Sequence, residues 1–209
     1  MGFASFPPSL GGTSTIGMPE GQGLRFSSDP IVAWRSWLVL EAPRVARKSR
    51  RRYVEAMALS SYNSHVFWPP RKPMRAHCLA AWRGLGQSAR FTREPHSAPH
   101  LAGMCGIYAV KRASGCPKWG GRPEKHPVVY GQVALWGRVL EFQEGYRAEF
   151  AYPVELWVLP RDWGSEEHAS PETVWDRLGI TASDTARHLV RIYGVPAREG
   201  IPEGVNYRP

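Results

Sequence analysis

Between Val128 and Pro160 apolar and polar positions alternate with a period of two, the spacing that sends successive strand side chains to opposite faces of a sheet. Gly131, Val133, Leu135, Gly137 and Val139 form one row, small and apolar, which predicts a buried face. Tyr130, Gln132, Ala134, Trp136, Arg138, Leu140 and Phe142 form the other, where rings alternate with groups that need water or a polar partner. Gln143-Glu144-Gly145 then supplies a glycine for a hairpin turn, and Tyr146, Ala148, Phe150 and Tyr152 resume the alternation. Proline cannot donate to a ladder, so Pro153 is predicted to end the second strand or to lie on an edge. Leu156-Trp157-Val158-Leu159 follows as a last short apolar run.

The remaining chain is predicted to pack on this hairpin or lead into it. Residues 1–28 are dominated by Gly, Pro and Ser, with too little apolar content to offset the entropy of ordering, and predict a disordered tail. Residues 29–196 read as a single β-rich domain and 197–209 as a second tail. Ile31 to Leu40 is a β-branched and aromatic run that predicts a strand. Arg44, Arg47, Lys48, Arg50, Arg51 and Arg52 follow, six cations in nine residues, and the alternation from Tyr53 to Leu59 makes this a hairpin with a basic tip. Three prolines exclude regular structure from His65 to Pro73, where the rings act either as a plug over the sheet or as a stacking surface. Met74 to Trp82 is compatible with a short helix and with an extended segment. Residues 84–104 are loop-like, and Cys105 to Val110 predicts a central strand buried on both faces. Ser170-Pro171-Glu172 reads as a helix start and Gly179 as its end. Thr181 and Asp184 have capping-box spacing, and Ala186, Leu189, Val190 and Tyr193 recur at helical intervals before Gly194 and Pro196. The fold class expected is mainly β (α+β): an antiparallel, partly closed barrel with two short C-terminal helices.

Charge changes this picture more than composition does. The net charge of +9 is uneven, since residues 1–127 hold 19 Lys/Arg against six Asp/Glu and residues 128–209 hold eight against twelve. A basic half suggests a polyanionic partner, nucleic acid being the usual one, and the dense tip gains most by neutralising phosphates. General solubility explains the same imbalance. Three cysteines fit a reducing compartment, and no apolar run approaches the roughly 18 residues of a membrane span. The N-terminus lacks a basic region followed by an apolar one, and Phe6 stands where a myristoylation signal has Ser or Thr. A cytoplasmic protein without a membrane partner is the expectation.

Four constellations are candidates for chemistry. Cys78, His96, His100 and Cys105 have zinc-ligand types but no Cys-x-x-Cys pair, so a zinc site competes with buried thiols and exposed loop histidines. Zinc is the one cofactor considered, and none is required. Cys105 with His96 or His100 as base is a nucleophile pair lacking an identifiable oxyanion device. Glu141, Glu144, Glu149 and Glu155 are carboxylates on or beside the hairpin, with Glu141 and Glu149 expected to face each other across it. Tyr130, Gln132, Trp136 and Arg138 form an aromatic face edged by amide and guanidinium groups, suited to stacking on an unstacked base and equally to a second layer of packing.

Cys105-Gly106-Ile107-Tyr108-Ala109, Gly131 to Val139, Gly145 to Glu149 and Ala151-Tyr152-Pro153 together resemble a family of uncharacterised proteins from actinobacteria and their mobile elements. The resemblance spans about residues 31–196 and brings no catalytic residues. It implies a second cysteine two positions before Cys105, where this chain has Gly103, a departure that counts against zinc. The strand followed by a Gly-x-Val hairpin is also similar to PUA-like barrels, with an SH3-like barrel the neighbouring form. The function expected is a non-enzymatic nucleic-acid-binding module, with Arg44 to Arg52 on phosphates and Tyr130, Gln132, Trp136 and Arg138 on a base. The alternatives are a protein-interaction accessory or inhibitor of a mobile element and, third, a hydrolase.

Overall fold

The computed structural model describes residues 23–41, 54–61, 66–78, 96–101, 105–116, 126–160 and 178–205. In chain order the elements are β1 (Gly23–Glu41), β2 (Met57–Ser60), β3 (Met74–Arg75), β4 (Ile107–Val110), a 3-10 turn (Ala113–Gly115), β5 (Val128–Glu141), β6 (Gly145–Val158), α1 (Ala182–Tyr193) and β7 (Ala197–Glu199). The described chain is therefore mainly β, as the alternation predicts. Among the described residues no helix is long and apolar enough to cross a membrane.

β5 and β6 form the predicted hairpin, closed by the Phe142 N–H donating to the Gly145 carbonyl at 2.8 Å. β1 runs antiparallel along the other edge of β5, from Gly23 opposite Glu141 to Leu38 opposite Val128. β4 pairs with β6 and meets β1 at Trp34 and Val110, so β1, β5, β6 and β4 make a hydrogen-bonded ring. β2 prolongs this sheet from β1, while β3 and β7 continue it along the outer edge of β6. The antiparallel expectation needs one correction, because β7 runs parallel to β6 and the sheet is mixed. One helix is described; the helix predicted from Ser170 falls outside the described residues as far as residue 177.

Gly131, Val133, Leu135 and Val139 of the small apolar row form the inner wall, whereas Gly137, predicted in the same row, sits half-buried at φ +77° in the bulge between Trp136 and Val139, where a Cβ would meet Phe150 and Glu149. Val133, Leu135 and Val139 are fully buried against Ala33, Trp37 and Val39 of β1 and Ala148, Ala151 and Leu156 of β6. Trp68 settles as the plug, its ring edge-on to Trp37 at 5.3 Å between centroids and its indole N–H donating to Ser61 Oγ at 3.0 Å. Such a ring pair contributes about 0.5–1.5 kcal/mol beyond the area it buries.

One expectation is narrowed and three are overturned. Pro153 does not end β6, which runs on to Val158: the ladder with β5 passes from Gln132–Glu155 to Val133–Pro153, leaving Val154 unpaired in a bulge, and no strand pairs with Pro153 on its outer side among the described residues. Residues 23–28, predicted as part of a disordered tail, belong to β1, and Gly23 to Ser27 pair with Gly137 to Glu141. The second tail is predicted to begin at residue 197, yet Ala197 to Glu199 form β7. β4 is not buried on both faces; Ile107 and Ala109 point inward, whereas Tyr108 is 46% exposed.

α1 starts at the predicted capping box, with Thr181 Oγ1 accepting from the Asp184 N–H and Asp184 accepting from the Thr181 N–H. It ends on Gly194 at φ +70°, where a side chain would be strained. Its buried face closes the free edge of β2, whose backbone groups need partners. His188 Nε2–H donates to the Met57 carbonyl at 2.8 Å, and Tyr193 Oη accepts from the Leu59 N–H at 3.0 Å.

Burial, with help from the nearby Arg191 charge, holds the His188 imidazole below the usual histidine range; the Met57 carbonyl and Glu55 only partly oppose this. An unfolded histidine titrates near about 6.5. As pH falls through that value the unfolded chain takes up a proton that the folded chain refuses, so this contribution to stability is present above it and is lost on acidification. Thermal melts from pH 7.5 to 5 are expected to show a smaller acid-induced loss for His188→Gln, whose amide keeps a donor for Met57, than for the parent chain. Equal losses would remove His188 from the acid response.

Candidate functional site

The strand ring brings two groups of candidate residues together, one at the rim and one on the outer wall. At the rim, β3 and the residue after it run along β6, the Ala76 N–H donating to the Glu149 carbonyl at 2.7 Å, and deliver Cys78. Cys105 lies two residues before the start of β4, on the other part of the same β6 edge. His96 and His100 come from the loop between them, which is pinned twice. Arg138 donates to the Ala98 carbonyl at 2.9 Å, and Pro99 packs so closely on Gly106 that a Cβ there would lie 3.0 Å from Pro99 Cβ and 3.1 Å from Arg147 Cβ. Gly106 also sits at φ +124°, open to glycine and strained for other residues.

All four sequence-predicted metal candidates meet there. His96 Nε2 lies 3.3 Å from Cys78 Sγ and 3.2 Å from Cys105 Sγ, and the two imidazoles face each other at a tilt of 39° with centroids 4.5 Å apart. His100 Nδ1 is buried without a hydrogen-bond partner. The groups rest in side-chain contact: among the described residues no three such side chains are already arranged to hold a metal ion. Burial pushes the Cys105 thiol up, with the His100 backbone N–H and the Arg147 guanidinium opposing. A raised, buried thiol is the reverse of what a nucleophile requires.

On the outer wall Trp136, Phe150 and Arg75 stand in register across β5, β6 and β3. The rings stack at 6.0 Å with 17° between planes, and the Arg75 guanidinium lies 5.6 Å above Phe150. Trp136 and Phe150 are half-buried and Arg75 is exposed. A second row crosses β1, β5 and β6 as Trp34, Gln132 and Glu155, with Trp157 5.5 Å from Trp34 and Arg198 5.0 Å over Trp157 while it also pairs with Glu155.

Two predicted face residues do not belong to this surface. Tyr130 is sealed at 2% exposure in a second cluster with Leu38, Cys116, Val128 and Leu159, so its ring offers no face to a base. Arg138 is engaged inward, paired with Glu149 at 3.2 Å and holding the Ala98 carbonyl. Glu141 and Glu149 do not face each other, since Glu141 stands opposite Tyr146 and bonds Lys111 at 2.9 Å. With Glu149 on Arg138 and Glu155 on Arg198, these carboxylates serve as partners of cations. Arg44, Arg47, Lys48, Arg50, Arg51 and Arg52 lie outside the described residues; the strands on either side of them pair as a hairpin, from Leu38–Ser60 to Glu41–Met57.

Sequence reasoning passes over Arg75, Phe150 and Arg35. Arg35 lies 5.3 Å over the Trp68 ring and donates to Ser61 Oγ at 3.2 Å and to the Tyr108 carbonyl. Burial pushes its guanidinium down to about 10, and its Nε is buried without an acceptor. A cation inside an apolar strand run is the only signal the sequence carries for it. Comparison with protein-family models, curated proteins and solved structures finds no match for this chain.

Proposed function

We propose that this chain is a non-enzymatic nucleic-acid-binding module that holds an unstacked base on the outer wall of its strand ring. The observation that carries the reading is the cross-strand row of Trp136, Phe150 and Arg75, two accessible stacked rings edged by an exposed guanidinium, with Gln132 half-exposed farther along β5. Rings of this kind receive any base face, and a neighbouring cation and amide supply charge and edge hydrogen bonds. The +9 charge and the six cations between residues 44 and 52 support the same partner. In this reading the strand ring is a PUA-like or SH3-like barrel, and the chain resembles uncharacterised proteins of actinobacteria and their mobile elements. Tyr130 and Arg138 leave the base-reading set, and Phe150 and Arg75 enter it.

Fluorescence anisotropy with labelled single-stranded DNA and RNA tests this. Trp136→Ala is expected to weaken binding by about 1–3 kcal/mol, the worth of one base–aromatic stack, with an unchanged salt slope. Changing Arg50, Arg51 and Arg52 together to Gln is expected to flatten the slope of log K against log salt by about 2, at roughly 0.7 per phosphate contact. A chain that binds neither polymer, and that co-purifies instead with a stoichiometric protein, would overturn the reading in favour of an interaction factor.

A further inference from the structure

We infer that Cys78, His96, His100 and Cys105 form a zinc site that ties the 96–101 loop and the end of the β3 segment to the strand ring. The inference stands on the rim cluster and is independent of nucleic-acid binding.

Proximity is the first argument. These residues are spread over 28 positions of sequence, yet one imidazole nitrogen touches both sulfurs, at 3.3 and 3.2 Å. Zinc bonds of about 2.3 Å to sulfur and 2.0–2.1 Å to nitrogen, set tetrahedrally, put sulfur and nitrogen about 3.5 Å apart. The observed separations are a few tenths of an ångström from that value. His96 and the two sulfurs therefore already stand at ligand-to-ligand spacing, and binding requires side-chain rotation to bring in the His100 nitrogen.

Hydrogen-bond satisfaction is the second argument. His96 Nε2 lies within hydrogen-bond distance of both thiols but can serve only one of them at a time, while Cys105 also accepts from the His100 backbone N–H. His100 Nδ1, in the neighbouring ring, is buried with no partner at all. Buried polar atoms are rarely left so. A metal ion would give the His100 nitrogen and the shared His96 nitrogen defined partners, taking a lone pair from each imidazole and one from each thiolate. The two thiol protons pass to solvent, and a centre with two thiolates and one Zn²⁺ is neutral. The donor set is the Cys₂His₂ class that zinc occupies in structural sites, and His96 and His100 have the His-x₃-His spacing found there. Gly106 and Arg138 act as the support, holding the loop that carries both imidazoles.

The test uses the full-length chain, expressed with added zinc and purified under reducing conditions without chelator. Elemental analysis is expected to find one zinc per chain. After removal by a chelator, Co²⁺ is expected to restore one equivalent, with the visible absorption of a tetrahedral ion and a near-ultraviolet thiolate-to-cobalt band. Cys78→Ser, at a half-buried and tolerant position, is expected to weaken zinc binding by more than the about 10–100-fold that loss of an outer hydrogen bond to a ligand costs. Cys116→Ser, whose sulfur belongs to the Tyr130 cluster, is expected to keep the full metal content and the cobalt spectrum. Absence of zinc and cobalt binding in the parent chain overturns the inference, as does parental affinity in a folded Cys78→Ser, His96→Gln or His100→Ala chain.

Discussion

Gly131→Ala is expected to cost the chain a large share of its stability, about 3–5 kcal/mol against the roughly 5–15 kcal/mol that holds a domain of this kind together. An added Cβ would come inside 3.0 Å of the Glu155 carbonyl oxygen, 3.0 Å from Leu156 Cδ2 and 3.2 Å from Trp37 Cζ3. Overpacking usually costs about 1–3 kcal/mol because side chains rotate aside. Here the nearest obstacle is backbone of β6, directly opposite, and moving it breaks the β5–β6 ladder next to the Pro153 bulge. Gly145→Ala meets the Ala109 carbonyl of β4 in the same way. Gly115→Ala is the control, because its Cβ would touch only Val110 at ordinary contact distances of 3.6–3.9 Å. Urea unfolding followed by far-ultraviolet circular dichroism distinguishes them, and a Gly131→Ala chain within about 1 kcal/mol of the parent would contradict the β5–β6 register.

The glycine row shows what local pattern reveals. Period two assigns Gly131, Val133, Leu135 and Val139 to one face from the sequence alone, and the capping box and terminal Gly194 of α1 obey rules reaching no farther than four residues. Position 153 marks where such rules stop. A proline in a strand reads as an end, but a bulge also absorbs it, and the bulge depends on how two chains align. Residues 23–28 fail similarly: their composition suggests a tail, whereas the outer half of β5 needs a partner that only β1 supplies.

The candidate sites divide along the same line. Residue type makes Cys78, His96, His100 and Cys105 visible in the sequence, but their meeting point depends on β6 carrying β3 and β4 along one edge. Trp136 is visible as a ring on a mixed face, and its neighbours Phe150 and Arg75 come from strands whose register local alternation does not encode. Arg138 shares that face in the alternation, yet the loop carrying Ala98 crosses it and takes its guanidinium. Tyr130 is likewise closed off, by Cys116 and Val205 arriving from distant positions. What covers a strand face is a property of the rest of the chain.

Tyr193→Phe is expected to lower stability by about 2–4 kcal/mol although it removes one atom. Tyr193 Oη accepts from the Leu59 N–H at 3.0 Å and donates to the Trp68 carbonyl at 2.8 Å, and the ring is 2% exposed. Phenylalanine fits the space but leaves two buried backbone groups facing it, each costing about 1–3 kcal/mol when unsatisfied. Tyr152→Phe is the comparison, since its hydroxyl donates to the Tyr193 carbonyl at 2.6 Å and accepts from the Arg71 N–H at 3.0 Å, in a less buried place where water replaces the lost bonds. Its expected cost is about 1 kcal/mol. Alkali gives a second signature: burial pushes the Tyr193 phenol well above the usual tyrosine range, and the Leu59 N–H only partly opposes it. An unfolded tyrosine ionises near about 10, so this contribution is complete below that pH and is lost as pH rises beyond it. The Tyr193→Phe chain should therefore lose less stability between pH 9 and 11 than the parent. If both tyrosine variants cost the same and share the parent's alkaline slope, α1 does not seal the edge of β2 through this hydroxyl.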